Sequence, residues 1–345
     1  MPSDANAISF RESVRPRPHA LDLIPAAGVL AYPFVLDAFH RQVGPVGSSP
    51  DAVHTISAAI CLLAAFAVPS LGLYWASRPA IAPTIRRFSY AVVVAPTLYV
   101  FLGVLQTMAR SPVPDEVVWV VGWTAAASWA TISVETEARF APSRALGHWR
   151  VAHGISGAVV LVYVLFHLTN HLFGLAGPDA HAAVMAIGRK VYRNRFIEPV
   201  LVAMLLFQIA SGAYLAWKWS VAYVEFHRLI QVATGFYLSA FVLGHMNSVF
   251  FYARGFLGIQ TNWAFATGAP AGIIHDPWNI RLLPHYALGV FFVLAHVASG
   301  ARGVMLAHGV SAPMTNRLWA LALAVSAVVA TFITAALCGV RIHAT

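Results

Sequence analysis

Runs of apolar residues, bounded by charges or by Gly and Pro clusters, recur along the chain at about 21–40, 53–76, 88–108, 117–134, 151–174, 197–217, 229–252, 283–306 and 317–340. A hydrocarbon slab of about 30 Å is crossed by roughly 20 residues of α-helix, and each run is close to that length. Lipid offers the backbone no hydrogen-bond partner, so a crossing segment must be helical or part of a closed barrel. Runs this long and continuous select helices. The pattern predicts an all-α integral membrane protein, a helical bundle of about nine transmembrane helices. The first run carries Pro25, Pro33 and Asp37 and is the weakest as a straight lipid-facing helix. The count is eight if that run does not cross.

Composition agrees with the pattern. Of the 345 residues 59% are hydrophobic and 10% charged, and the mean hydropathy is +0.70, too little charge to clothe a soluble surface. A net charge of +9 would raise nucleic-acid binding in a soluble protein. Here most Lys and Arg fall in interhelical loops, where they set orientation and meet anionic headgroups, and a nucleic-acid role is set aside. The larger share of the 22 Lys and Arg falls on loops sharing the N-terminal side, which favours a cytoplasmic N-terminus in the cell inner (plasma) membrane. The cluster Arg189, Lys190, Arg193 and Arg195 reads as a headgroup-facing surface. The segment from Met1 to His19 is polar, and the run after it lacks a small-residue cleavage site, so it reads as retained. Cys61 and Cys338 lie far apart inside apolar runs and read as packing residues. No G-x-S-x-G, P-loop or H-E-x-x-H is present, so the chain alone does not read as a complete enzyme.

Histidine usage changes near residue 145. From His148 onward come His153, His167, His171, His227, His245, His285, His296 and His308, whereas the second to fourth runs hold only His54. This divides the chain into an N-terminal transmembrane extension, 1–145, and a five-helix unit, 146–345. An imidazole in hydrocarbon is costly unless paired, ligated or wet. Two histidines at equal depth on different helices could hold haem iron, which accepts two axial imidazoles. The fifth and seventh runs are parallel, and His167 and His245 each lie about 17 residues in, at one level. In the sixth and eighth runs, Gln208 and His296 share a level. His153, Gln208, Gln231 and His296 are each followed four residues later by glycine, at Gly157, Gly212, Gly235 and Gly300, leaving flat patches for a porphyrin or a neighbouring helix. Plain helix packing would leave the same trace. A rival arrangement lets one helix serve two haems, since His153 and His167 lie 14 residues apart and within about 40° of one face. There His227, near His153 in depth, would complete the second site.

The order H-G-I-S-G with F-H-L-T-N-H, then F-Q-I-A-S-G-A-Y-L-A, then Q-V-A-T-G with L-G-H-M-N, then L-A-H-V-A-S-G resembles the cytochrome b membrane anchor of succinate dehydrogenases and fumarate reductases. The likeness is to its single-chain, five-helix form over about 147–341. The resemblance implies that His167 and His245 are axial ligands of the distal haem b. It also implies that the proximal pair would fall on Gln208 and His296. Glutamine is a poor haem ligand, so one bis-histidine haem is expected, with the proximal position empty or five-coordinate through His296. The four-helix extension has no counterpart in that family. The resemblance adds a quinone site, for which Glu198 is the best-placed carboxylate and His275 and Arg281 lie on the same side. Glu198 reads equally as a helix N-terminal acid. The expected function is a membrane cytochrome b exchanging electrons with the quinone pool and a further electron-transfer protein. The alternative is a haem-free or haem-sensing membrane scaffold.

Overall fold

The computed structural model describes residues 20–79, 81–133 and 144–342. Among them the regular elements are all helical: α1 (Ile24–Val43), α2 (Ala52–Ala76), α3 (Pro83–Val93), α4 (Ala95–Ala109), α5 (Asp115–Ile132), α6 (Arg144–Leu172), α7 (Pro178–Tyr192), α8 (Ile197–Trp219), α9 (Phe226–Met246), α10 (Trp263–Thr267), α11 (Leu282–Ala307) and α12 (Ala312–Leu337). The reading of Met1–His19 as retained lies outside the described residues. So do 134–143, next to the division expected at 145.

Among the described residues seven helices, with their adjoining turns, are long and apolar enough to cross a membrane, and α3 with α4 forms a pair bent by 67° that brings the number to eight if it is one span. Their outward faces are apolar: on α6, Val151, Ile155, Val159 and Val162 all point away from the bundle, more than half exposed. This is a multi-pass membrane protein whose exterior meets lipid. The shorter α5 opens on Asp115 and Glu116 and packs against α1 and α3. Asp115 meets Arg281 at the face where α1 ends, and Trp123 meets Phe88 of α3 further back. We call the face where α1 starts the first face and the one where it ends the second.

The two prolines that weaken the first run do not break it. Pro33 has no N–H for the Val29 carbonyl one turn back, and the Trp119 indole N–H of α5 donates to that carbonyl at 2.7 Å instead. The break falls instead in the run 88–108. There Pro96 cannot bond back to Val92, Val94 N–H turns to the Ala91 and Val92 carbonyls, and the chain restarts as α4 at a new angle. Between the fifth and sixth runs the structure adds α7, which the apolar pattern had left as a loop. Arg189 and Arg193 near its end reach back to protein, Arg189 Nη2 donating to the Thr261 carbonyl at 2.7 Å and Arg193 Nη2 to Thr261 Oγ1 at 3.2 Å.

The N-terminal and five-helix segments share one core, which joins Val29, Tyr32, Val92 and Tyr99 with Ile280, Leu283, Val290 and Ile333. They are also locked by polar contacts at the second face. His275 Nδ1 donates to the Gly44 carbonyl at 3.0 Å, and His40 Nε2 donates to the His275 carbonyl at 3.1 Å. Arg281 pairs with Asp115 at 2.6 Å, with their side chains 6% and 15% exposed. The guanidinium lies 4.2 Å from the centre of the Tyr99 ring and 4.7 Å from that of Trp278. Gly103 makes room for it, since a methyl group there would collide with Arg281 Nη1. Removing one partner strands the other charge, a loss of about 3–5 kcal/mol. Thermal unfolding in detergent should therefore show Asp115→Asn and Arg281→Gln each strongly destabilised, and the double variant less so than the sum of the two.

Candidate functional site

Near the second face, the ends of α6 and α9 bring His167 and His245 together, ring centres 5.9 Å apart and planes at 69°. One turn before each histidine an aromatic ring stacks on it: Tyr163 on His167 at 5.6 Å and Phe241 on His245 at 5.9 Å. Phe241 is itself wedged against Gly289 of α11, where a methyl group would collide with its ring. Buried His285, one turn before Gly289, lies 4.7 Å from Phe241, and its carbonyl accepts a 3.0 Å hydrogen bond from Tyr237 Oη.

The cluster continues outward. His171 is one turn beyond His167, ring centres 4.7 Å apart, and meets His181 of α7 at 5.3 Å. Trp263 covers His181 at 4.7 Å. Asn170 Nδ2 donates to His181 Nε2 at 3.1 Å. Asn170 Oδ1 and the Nδ1 atoms of His171, His181 and His285 are buried without a protein partner. Sequence reading gave no role to His171, His181 or His285. His171 sits four residues from His167, and His285 sits 11 residues before His296 on the same face of α11, so the spacing was present as a signal.

Closer to the first face, His296 of α11 faces His153 of α6, ring centres 6.2 Å apart and planes at 85°. His153 Nδ1 lies 2.8 Å from Ser211 Oγ of α8, and His296 Nδ1 lies 2.9 Å from Thr234 Oγ1 of α9. Each hydroxyl donates its own proton to a carbonyl of its helix, Ser211 to Phe207 at 2.6 Å and Thr234 to Ile230 at 2.8 Å. Both hydroxyls are therefore acceptors towards the imidazoles. A ring that donates to such a hydroxyl carries its proton on Nδ1 and keeps a lone pair on Nε2.

The partner expected for His296 was Gln208, and here the structure differs. Gln208 Nε2 donates to the His153 carbonyl at 2.9 Å and to Ser156 Oγ, turning its amide towards α6. The glycines keep these side chains close: Gly157 faces the Gln208 amide, Gly212 the His153 ring and Gly235 the His296 ring, while Gly300 has open space beside it. His227, the rival partner for His153, packs instead on Trp319 at 4.7 Å.

The three residues linked to a quinone site are not brought together. Glu198 pairs with Arg254 at 2.7 Å, whereas His275 and Arg281 are committed to the N-terminal helices as described above. Among the described residues no group of three or more His, Cys, Asp or Glu side chains is arranged to hold a bare metal ion.

No protein-family model, curated protein or solved structure matches this chain.

Burial, and then the charge of Arg189, push the His181 imidazole down from 6.5 to about 4. The folded state thus favours the neutral ring. The stability this gives is complete above about pH 6.5 and is lost as pH falls towards 4, where the unfolded chain takes up a proton that the folded one refuses. Thermal unfolding should show the midpoint dropping between pH 7 and 5, with a smaller drop in His181→Gln.

Proposed function

We propose that the chain is a membrane cytochrome b that exchanges electrons with the quinone pool and a further electron-transfer protein. In this it resembles the single-chain anchors of succinate dehydrogenases and fumarate reductases. The supporting observation is the facing of His167 and His245. With a metal–nitrogen bond of about 2.0 Å and the ring centre about 1.1 Å behind the nitrogen, two imidazoles on opposite sides of one metal stand roughly 6 Å apart. The two rings are 5.9 Å apart. Two imidazoles do not complete a coordination sphere, so a metal held between them has to bring its own equatorial donors, as haem does. The unpartnered polar atoms of Asn170, His171, His181 and His285 in the same region suit a ligand that carries polar groups.

Bound haem b supplies one-electron chemistry. His167 and His245 would hold it, and the stacked Tyr163 and Phe241 fix the orientation of those two rings. The apolar helices around them keep water out, a setting that tunes redox potential. Glu198, ion-paired with Arg254, is the carboxylate at hand for a quinone. The bias of basic residues supports a cytoplasmic first face in an inner membrane, and this haem would then lie nearer the outer side.

The dithionite-reduced minus oxidised spectrum of the purified protein tests this reading. A low-spin b-type haem is expected in the intact protein. In His167→Ala and His245→Ala at least one equivalent should be lost. A well-folded protein without haem overturns the proposal and leaves the scaffold alternative.

A further inference from the structure

We infer that His153 and His296 are the axial ligands of a second haem, so that α6 gives one ligand to each of two sites. This rests on the reading of the chain as a cytochrome b. It departs from the ligand positions that the sequence resemblance implies, in which Gln208 takes the place opposite His296.

Four features carry the inference. The ring centres stand 6.2 Å apart, the separation of two imidazoles bound across one metal and close to that of the first pair. Each Nδ1–H is fixed by a hydroxyl from a third or fourth helix, Ser211 of α8 or Thr234 of α9. This is the outer-shell hydrogen bond that holds a metal-bound histidine in its tautomer and raises its basicity. The hydrogen bonds of both rings run through Nδ1, and a ring so held has its lone pair on Nε2. Gly212 and Gly235 bring α8 and α9 against the two rings at the carbon between the nitrogens, at 3.2 and 3.5 Å from the position a Cβ would take. A Cβ at Gly212 would press on the His153 ring, whereas one at Gly235 would lie in ordinary contact with the His296 ring.

Simple core histidines would explain the hydrogen bonds at Nδ1. They would not by themselves bring two such rings, on different helices, to a separation of 6.2 Å with both hydrogen bonds made through Nδ1. Ser211 and Thr234 perform the same task from separate helices, each freed to accept by bonding its own backbone. His153 and His167 are 14 residues apart on α6, about 21 Å along the axis. The two sites are therefore stacked across the bilayer, one towards each face, and the bundle would hold an electron path from one side of the membrane to the other.

Haem content per polypeptide, with a potentiometric titration of the purified chain, decides the matter. The intact protein is expected to carry two haems that titrate as two one-electron waves. His153→Gln and His296→Gln should each retain one haem and one wave, and the retained haem reports that the bundle has folded. Gln208→Leu should retain both. In His153→Gly, added imidazole should restore the lost spectrum. A single haem in the intact protein, lost in His167→Ala and unchanged in His153→Gln, overturns the second site and leaves the first standing. Two haems that both survive in His153→Gln and His296→Gln overturn the ligand assignment. No haem at all overturns both readings.

Discussion

Hydrocarbon gives an imidazole no partner, and that constraint organises the five-helix unit. His153 and His296 are each met by a neighbour from another helix, whereas His171 and His285 keep an Nδ1 without a protein partner. Ser211 and Thr234 are those neighbours: a hydroxyl that donates to its own helix backbone is left as a pure acceptor and can take the proton of a ring arriving from another helix. The ring so fixed has one defined tautomer and one orientation, with its lone pair on Nε2. What the membrane makes costly is thereby converted into preorganisation.

The all-helical, membrane-spanning character is legible in the apolar runs, and so is the level shared by His167 and His245. Depth follows from counting residues along a helix. Azimuth does not, because the rotation of α6, α8 and α11 about their axes is set by packing. Gln208 and His153 are both near the depth of His296, and sequence could not say which of them faces it. The small residues that decide the question, Ser211 and Gly212 on α8 and Thr234 and Gly235 on α9, lie inside motifs that also serve plain helix packing. His275 and Arg281 were placed on the correct side, yet their partners, Gly44 and Asp115, lie more than 160 residues away. No local pattern reports such contacts.

Proline shows the same limit. Pro33 and Pro96 are equivalent by propensity, each depriving a carbonyl four residues earlier of its donor. The Val29 carbonyl finds the indole of Trp119 and α1 stays whole, while beyond Val92 the chain turns by 67°. Whether a proline bends a membrane helix depends on a side chain that can be far away in sequence.

The Arg281–Asp115 pair carries the argument past the sites themselves. A guanidinium this enclosed is tolerable only while its carboxylate is beside it, and that carboxylate belongs to α5. The start of α11, the helix that bears His285 and His296, is thus anchored in the N-terminal helices. The five-helix unit is consequently not a portable module: cut from the extension, it would carry a stranded cation at the head of one of its principal helices. The two parts of this chain form one folded body, joined by that pair and by a common core.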